Sequence, residues 1–335
     1  MRTLGVGVVG VGVLGKMHAE NLARRIHGAR VTAIADVRTE AAQQIADELG
    51  VARVYASAEE LAADPDVEAL VIVSNDGAHA AGILAAAANG KDVFCEKPIT
   101  TTLEDADRVL AAVAQSGVTL QIGFMRRYDA AYAAAKAAID AGRIGTPILI
   151  KAAHRGKYPF PRQPGAGPDP SVFFNSCIHD SDNARWLLGD EAVEVTAIAN
   201  RVVASTSADG QGTDVAVTTI RFAKGALGDI ENVSSAFYGY DVRTEVVGDR
   251  GALFIGSLRE TGCVLATEAG LSSDITDHWL TRFGQTYLIE LEDWVRRTLA
   301  GEPPFCTGAD GRAALEIAMA ATTSHRERRP VALPL

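Results

Sequence analysis

No stretch of this 335-residue chain reaches the roughly 20 consecutive apolar residues a membrane span requires, so no partner within a bilayer is expected. Cysteine is scarce. Cys95, Cys177, Cys263 and Cys306 are scattered, with no CxxC pair and no metal-ligand spacing. That excludes a disulfide framework and a metal centre as expectations, and fits free or buried thiols in a reducing compartment, the cytoplasm. Positive charge is short as well: the formal net charge is −10. Nucleic acid and anionic membranes need a basic face, so neither is an expected partner. A solvated acidic surface accounts for the imbalance, although it is also compatible with a cationic substrate. There is no internal repeat at a period of 20–50 residues and no low-complexity linker. The opening "MRTLGVGVVGVGVLGK" mimics a signal peptide in having Arg2 before an apolar run. It is broken by glycines, lacks a small-residue cleavage site and runs into a polar helix, so it reads as part of the fold.

A hydrophobic content of 47% and a charged content of 22% are those of a soluble globular protein. The length exceeds one ordinary core, and two domains are expected. Through residue 123, short apolar runs (4–9, 31–36, 69–74, 92–96, 118–123) alternate with helical patterns (14–26, 39–49, 77–89, 103–116), several closed by glycine. Strands apolar on both faces that alternate with helices make a doubly wound parallel sheet. Beyond Gly123 the pattern changes. A helix (129–141), a strand (146–155), a Pro/Gly-rich loop (156–170) and a helix (173–189) precede five alternating strands at 191–204, 213–223, 226–237, 242–248 and 252–256. Two terminal helices, 284–300 and 309–324, finish the chain. The fold class is therefore α/β: a doubly wound parallel-sheet domain over 1–123, and a second domain over 124–335 that combines helices with a mostly antiparallel sheet. One face of that sheet is free for substrate binding or subunit contact.

The first strand runs into Gly10, Gly12 and Gly15, a G-x-G-x-x-G spacing that opens a helix. The first glycine permits the tight turn, the second lets a pyrophosphate approach the backbone, and the third lets helix and strand pack closely. The helix N-terminus then offers amide donors to the phosphates, and Val13 and Leu14 lie within the same turn. Asp36 ends the next strand at about the ~20-residue offset where an acid meets the adenosine ribose. Its carboxylate accepts from ribose hydroxyls and repels a 2′-phosphate, which favours NAD over NADP. Arg38, two residues on, is the side chain through which NADP could still be accepted.

"FCEKPIT" (94–100) ends a strand with Glu96, Lys97 and Pro98. Ligands bind at the carboxyl ends of parallel strands, and proline fixes the local backbone, so Lys97 is expected to face the site. In "FFNSCIHDSDNARWLLG" (173–189), helical spacing puts Asn175 and His179 one turn apart on one face, with Asp180 and Asp182 turned elsewhere. Trp186, Leu187 and Leu188 read as helix core.

The glycine motif, "EKP" and "HDSDNARWLLG" together resemble the Gfo/Idh/MocA oxidoreductases, over essentially the whole chain. Within that family, "GFMRRYDAAYAAAKAAIDAGRIGTP", "HR" at 154–155 and "YGYDVRTEVVG" are closest to the inositol 2-dehydrogenases. The resemblance implies an N-terminal Rossmann domain, a C-terminal open-sheet domain and a homo-oligomer, commonly a tetramer. It implies hydride transfer from a secondary carbinol of a small polyhydroxylated ring to nicotinamide. Lys97 matches the active-site lysine that binds the reacting hydroxyl, and His179 the catalytic histidine. Met125, His154, Tyr238 and Tyr240 match positions lining the substrate pocket. Ser74, Asn75 and His79 match the nicotinamide-ribose loop, and Glu96 with Lys97 completes the cofactor set. For His154, pairing with surface carboxylates alongside Arg155 is an equal alternative. Asp182 reads as structural, anchoring the helix start.

The chain departs from the pattern at Asn175, where inositol dehydrogenases carry aspartate. An asparagine accepts the histidine N–H but offers no charge to an imidazolium. The difference between a neutral and a charge-assisted hydrogen bond is on the order of 1–2 kcal/mol. Catalysis then leans on Lys97, or Asn175 recognises a different substituent of the substrate. Three readings follow: oxidation of an inositol-like cyclitol, oxidation of a ring hydroxyl on a sugar or aminoglycoside, and a nucleotide-sensing regulator without chemistry. The joint presence of Lys97 and His179 argues against the last.

Overall fold

The computed structural model describes residues 2–157, 172–203 and 213–335. The loop expected at 156–170 lies outside the described residues from 158 onward. The chain divides into two compact units: residues 1–125 with 286–315, and residues 126–285 with 316–335.

The first unit is a six-stranded parallel sheet. Its elements are β1 (Leu4–Val9), α1 (Val13–Arg24), β2 (Ala29–Ala35), α2 (Thr39–Leu49), β3 (Val54–Tyr55), α3 (Ala58–Ala62), β4 (Ala69–Ile72), α4 (His79–Ala88), β5 (Asp92–Glu96), α5 (Leu103–Ser116) and β6 (Leu120–Gly123). The strand order β3-β2-β1-β4-β5-β6 reverses direction between β1 and β4, the switch point at which such sheets open a crevice. Every residue of β1 and β4 is buried, as expected of strands covered on both faces. Local signals bound the helices. Thr102 caps α5 by accepting from the Asp105 amide, and glycines in the left-handed conformation close α2 (Gly50) and α5 (Gly117). Leu291, Trp294 and Val295 from the 286–315 segment pack into the core formed by Leu4, Val8, Leu22 and Phe94. The sequence reading places 286–315 in the second domain; in the structure the segment's apolar stripe packs with the first unit.

The second unit contains α6 (Ala130–Asp140), β7 (Pro147–Lys157), α7 (Ile178–Leu188), β8 (Ala192–Asn200), β9 (Val215–Phe222), β10 (Leu227–Ala236), β11 (Asp241–Gly248) and β12 (Ala252–Ile255). The exposed hairpin β13 (Val264–Thr267) and β14 (Gly270–Ser273) follows, then α8 (Trp279–Ala300) and α9 (Gly308–Glu327), whose residues 286–300 and 308–315 belong to the first unit, and β15 (Val331–Ala332). The seven-stranded sheet has the order β12-β11-β7-β10-β9-β8-β15, with β7 and β10 parallel and every other neighbour antiparallel. It is thus mixed but mostly antiparallel. Along β9 burial alternates strictly: Ala216, Thr218, Ile220 and Phe222 face the packed side, while Val217, Thr219 and Arg221 face outward. The packed side meets Phe173, Leu187, Ile317 and Ala321 in one apolar core.

Candidate active site

In the first unit the three glycines have separate physical reasons. Gly10 sits at φ +92°, and a Cβ there would come within 2.7 Å of the Ser74 amide and the Val73 carbonyl. A Cβ on Gly15 would lie 2.0 Å from the Gly10 carbonyl oxygen. Gly12 is different: a Cβ would meet nothing within 4 Å, so the space over it is open. Gly12 is also the N-cap of α1 and provides no side-chain cap, leaving the first-turn amides of Val13, Leu14 and Gly15 without a side-chain acceptor. Ser74, just past β4 and against Gly10, has a buried hydroxyl with no hydrogen-bond partner among the described residues. Open space over a glycine, uncapped amides and an orphaned hydroxyl together fit a bound pyrophosphate.

Asp36 follows β2 and ties this region together: Oδ2 accepts from the Val11 amide (2.8 Å) and Oδ1 from the Arg38 amide (2.9 Å). The Arg38 guanidinium leans on the same carboxylate, with Nε at 3.4 Å from Oδ1. A carboxylate has about four acceptor sites, so capacity remains for ribose hydroxyls. Asn75 is exposed beside Ser74.

Lys97 leaves the carboxyl end of β5 half-buried, and its ammonium has no hydrogen bond or ion pair among the described residues. Its neighbours are the opposite. Glu96 is buried, with Oε1 at 2.9 Å from His18 Nε2. His79 is buried, with Nδ1 at 2.7 Å from the Pro98 carbonyl oxygen and Nε2 at 3.1 Å from that of Ser74. Glu96 and His79, expected to contact the cofactor, thus direct their polar atoms into the unit itself.

In the second unit, residues 173–177 form a π turn leading into α7. The Ile178 amide bonds to the carbonyl of Phe173, five residues back, which identifies the widened turn. Asn175 lies on this turn and is exposed, whereas His179 is only 7% exposed. Among the described residues no hydrogen bond joins His179 to Asn175, and the widened turn takes Asn175 off the α-helical i−4 position.

Beneath this segment lies a buried polar cluster. The Arg126 guanidinium donates to Asp180 Oδ1 (2.5 Å) and to His154 Nδ1 (2.8 Å), and Asn232 donates to Asp180 Oδ2 (2.9 Å). Burial pulls the Asp180 carboxyl up, but Arg126 and His154 outweigh it and hold it below its ordinary value. Burial is also the main reason the His154 imidazole is held below its usual range. Arginine only donates, so His154 Nδ1 is an acceptor and the neutral ring carries its proton on Nε2. His154 therefore does not pair with surface carboxylates; Arg155 takes that part with Glu231. Asp182 is structural as expected, but by a different partner: it receives Arg127 Nε (2.9 Å) and Nη2 (2.6 Å) in a buried ion pair.

Tyr240 is buried edge-on to His154, with ring centroids 5.6 Å apart, and burial pushes its hydroxyl up to about 12. Tyr238 is half exposed; burial and the Asp241 carboxylate, 2.8 Å away, push it up to about 12 as well. Both stay protonated at neutral pH and act as donors. Met125 is buried at the start of the "MRRY" turn. Leu187 is fully buried, with Trp186 and Leu188 packed at the edge of the core. Sequence reasoning missed Arg126, Asp180, Asn232 and His18. The doubled arginine of "GFMRRYD" was the available signal: two charges entering an otherwise apolar run need buried partners. Among the described residues no group of His, Cys, Asp or Glu could hold a metal ion, and no helix is long and apolar enough to cross a membrane.

A glycine-rich dinucleotide turn at a parallel-sheet switch point, followed by a second unit built on an open mixed sheet, defines a nucleotide-dependent oxidoreductase. The chain belongs to the Gfo/Idh/MocA family: residues 4–124 match its NAD-binding Rossmann fold and residues 136–333 its C-terminal alpha/beta domain. It is 38% identical over 333 residues to the scyllo-inositol 2-dehydrogenase (NAD(+)) of Bacillus subtilis, covering 97% of this chain and 95% of that one. It is also 38% identical to the myo-inositol 2-dehydrogenase of Thermotoga maritima, over 98% of each chain. Among solved structures, the myo-inositol dehydrogenase of Lactobacillus casei in complex with NAD(H) and myo-inositol superimposes with a TM-score of 0.90 at 32% identity, covering 99% of this chain and 97% of that one.

Proposed function

We propose that this protein oxidises a secondary hydroxyl of an inositol-like cyclitol to the ketone, with NAD as oxidant. The observation that carries the proposal is Lys97: a half-buried ammonium, unpaired among the described residues, at the carboxyl end of β5. It stands in a chain whose relatives named above are inositol dehydrogenases.

When bound, NAD supplies the hydride acceptor. Gly12, the first-turn amides of α1, Ser74 and Asp36 hold it, and the Asp36 carboxylate disfavours a 2′-phosphate. Lys97 donates a hydrogen bond to the reacting hydroxyl oxygen, lowering the cost of the negative charge that builds there as the C–H bond breaks. His179 accepts the hydroxyl proton. Asn175 is exposed and uncommitted, so its amide is free to bond a ring hydroxyl in either sense. Met125, Tyr238 and Tyr240 line the substrate side, Tyr240 as a donor and Tyr238, whose proton goes to Asp241, as an acceptor. His154, its Nδ1 taken by Arg126, keeps Nε2 to donate to the substrate.

The same reading makes the protein a cytoplasmic homo-oligomer, with a tetramer the form to test. Its support is the outward face of the second unit's sheet, where Ile198, Val217 and Leu227 are exposed on the neighbouring strands β8, β9 and β10, and Phe254 on β12 at the far edge. Asn175 in place of an aspartate favours one second reading, a sugar or aminoglycoside ring as substrate. A panel of cyclitols, aldoses and amino sugars scored by NADH formation decides: the highest kcat/KM is expected on myo- or scyllo-inositol, and a sugar leading by tenfold or more (about 1.4 kcal/mol) would replace the cyclitol.

A further inference from the structure

Lys97 stands between two residues that are both anchored by buried histidines from other elements of the same unit. On one side, the Glu96 carboxylate meets His18 Nε2 at 2.9 Å; His18 comes from α1 and has no solvent exposure. On the other, the Pro98 carbonyl meets His79 Nδ1 at 2.7 Å, and His79 comes from the start of α4. The next residues, Ile99 and Thr100, are buried as well. The backbone on both sides of position 97 is therefore fixed, while the ammonium itself is uncommitted.

Neither histidine is needed merely to fill space. His18 lies edge-on to Phe94 and Tyr287, each at 5.8 Å between ring centroids, in surroundings an apolar side chain would fill without a desolvation cost. Both nitrogens of His79 face carbonyl oxygens, and a neutral ring donates through only one of them. The shorter contact, to Pro98, takes that proton. His79 thereby spans the turn after β4 and the turn after β5, the two segments that flank the proposed chemistry.

We propose that His18 and His79 are positioning residues that brace the Glu96-Lys97-Pro98 turn from either side and so set where the Lys97 ammonium is presented. The proposal rests on the catalytic role given to Lys97 above. It contrasts with direct cofactor contact by Glu96 and His79, and the two make opposite predictions for NAD affinity.

The test compares His79→Asn, His79→Gln, His18→Phe and Lys97→Ala in the full-length protein. An asparagine amide reaches the Nδ1 position and retains the bond to Pro98; a glutamine reaches Nε2 and does not. For His79→Gln and His18→Phe, kcat on myo-inositol should fall about tenfold to a hundredfold, the range expected when a catalytic group shifts by about an ångström. Their NAD dissociation constants, from fluorescence titration, should stay within about threefold, and His79→Asn should recover most of the lost kcat. Hydrogen exchange of the 96–100 segment gives a readout independent of turnover. It should accelerate in His79→Gln and His18→Phe and stay at the wild-type rate in His79→Asn.

Equal kcat and equal exchange in the two His79 variants would overturn the brace, as would loss of NAD affinity in step with kcat. Should Lys97→Ala itself retain turnover, the catalytic reading of that lysine fails. An inactive Lys97→Ala beside a fully active His79→Gln would defeat the brace alone.

Discussion

A buried imidazole that must remain neutral makes stability depend on pH, and His154 is such a group. Its Nδ1 is held against the Arg126 guanidinium, and burial depresses its affinity for a proton. In the unfolded chain the same ring titrates near its ordinary value of about 6.5. The folded value is the lower one, so the contribution to stability is fully present above about pH 6.5 and is lost as the pH falls toward the folded value. Thermal unfolding between pH 8 and pH 5 should show Tm declining below about 6.5, with a shallower decline in His154→Gln; equal slopes would show that another group titrates there. The cluster around His154 also marks where residue-level reading stops. Gly10 and Gly15 were legible from the spacing of the turn itself: a Cβ on Gly15 would strike the Gly10 carbonyl five residues back, although the atoms crowding Gly10 come from Val73 and Ser74. Arg126 and Asp180 are separated by 54 positions, and nothing in either neighbourhood announces the other.

At the scale of elements, α1 combines two demands that are separable by substitution. Gly15 is required by the fold, since a Cβ there would collide with the Gly10 carbonyl. Gly12 is required only by what binds over it, since a Cβ meets open space and its backbone (φ −63°, ψ −170°) is extended. Gly12→Ala should therefore leave thermal stability within about 0.5 kcal/mol of wild type and weaken NAD binding at least about tenfold, the added methyl filling the place of the pyrophosphate. Unchanged NAD affinity would remove the phosphate from this turn. Elements with strong periodicity or caps were read close to their observed limits, among them β1, α2, β5 and α5. The hairpin of β13 and β14 was not, because both strands are exposed throughout and carry no apolar alternation. β3 and β15, two residues each, are too short to show a period. The π turn at 173–177 was read as ordinary helix, since one extra residue in a turn leaves the composition of the segment unchanged.

At the scale of the whole molecule, acidic charge, scattered cysteines and two successive α/β patterns narrowed the class, and the glycine turn with the "EKP" segment pointed to the chemistry. Family membership rests on matches that run through both parts of the chain, residues 4–124 and 136–333. What sets this chain apart in the proposed reaction is Asn175, an amide where the family resemblance implies an aspartate. With Asn175 exposed and no hydrogen bond between it and His179 among the described residues, the proposed reaction leaves Lys97 as the principal charge acting on the substrate hydroxyl. The most direct test is the steady-state rate of Lys97→Ala with saturating myo-inositol and NAD, measured beside its NAD dissociation constant. The account predicts a fall in kcat of about 10²–10⁴-fold, the range for loss of a positioned acid–base group, with NAD affinity held. Turnover within a few-fold of wild type would contradict it.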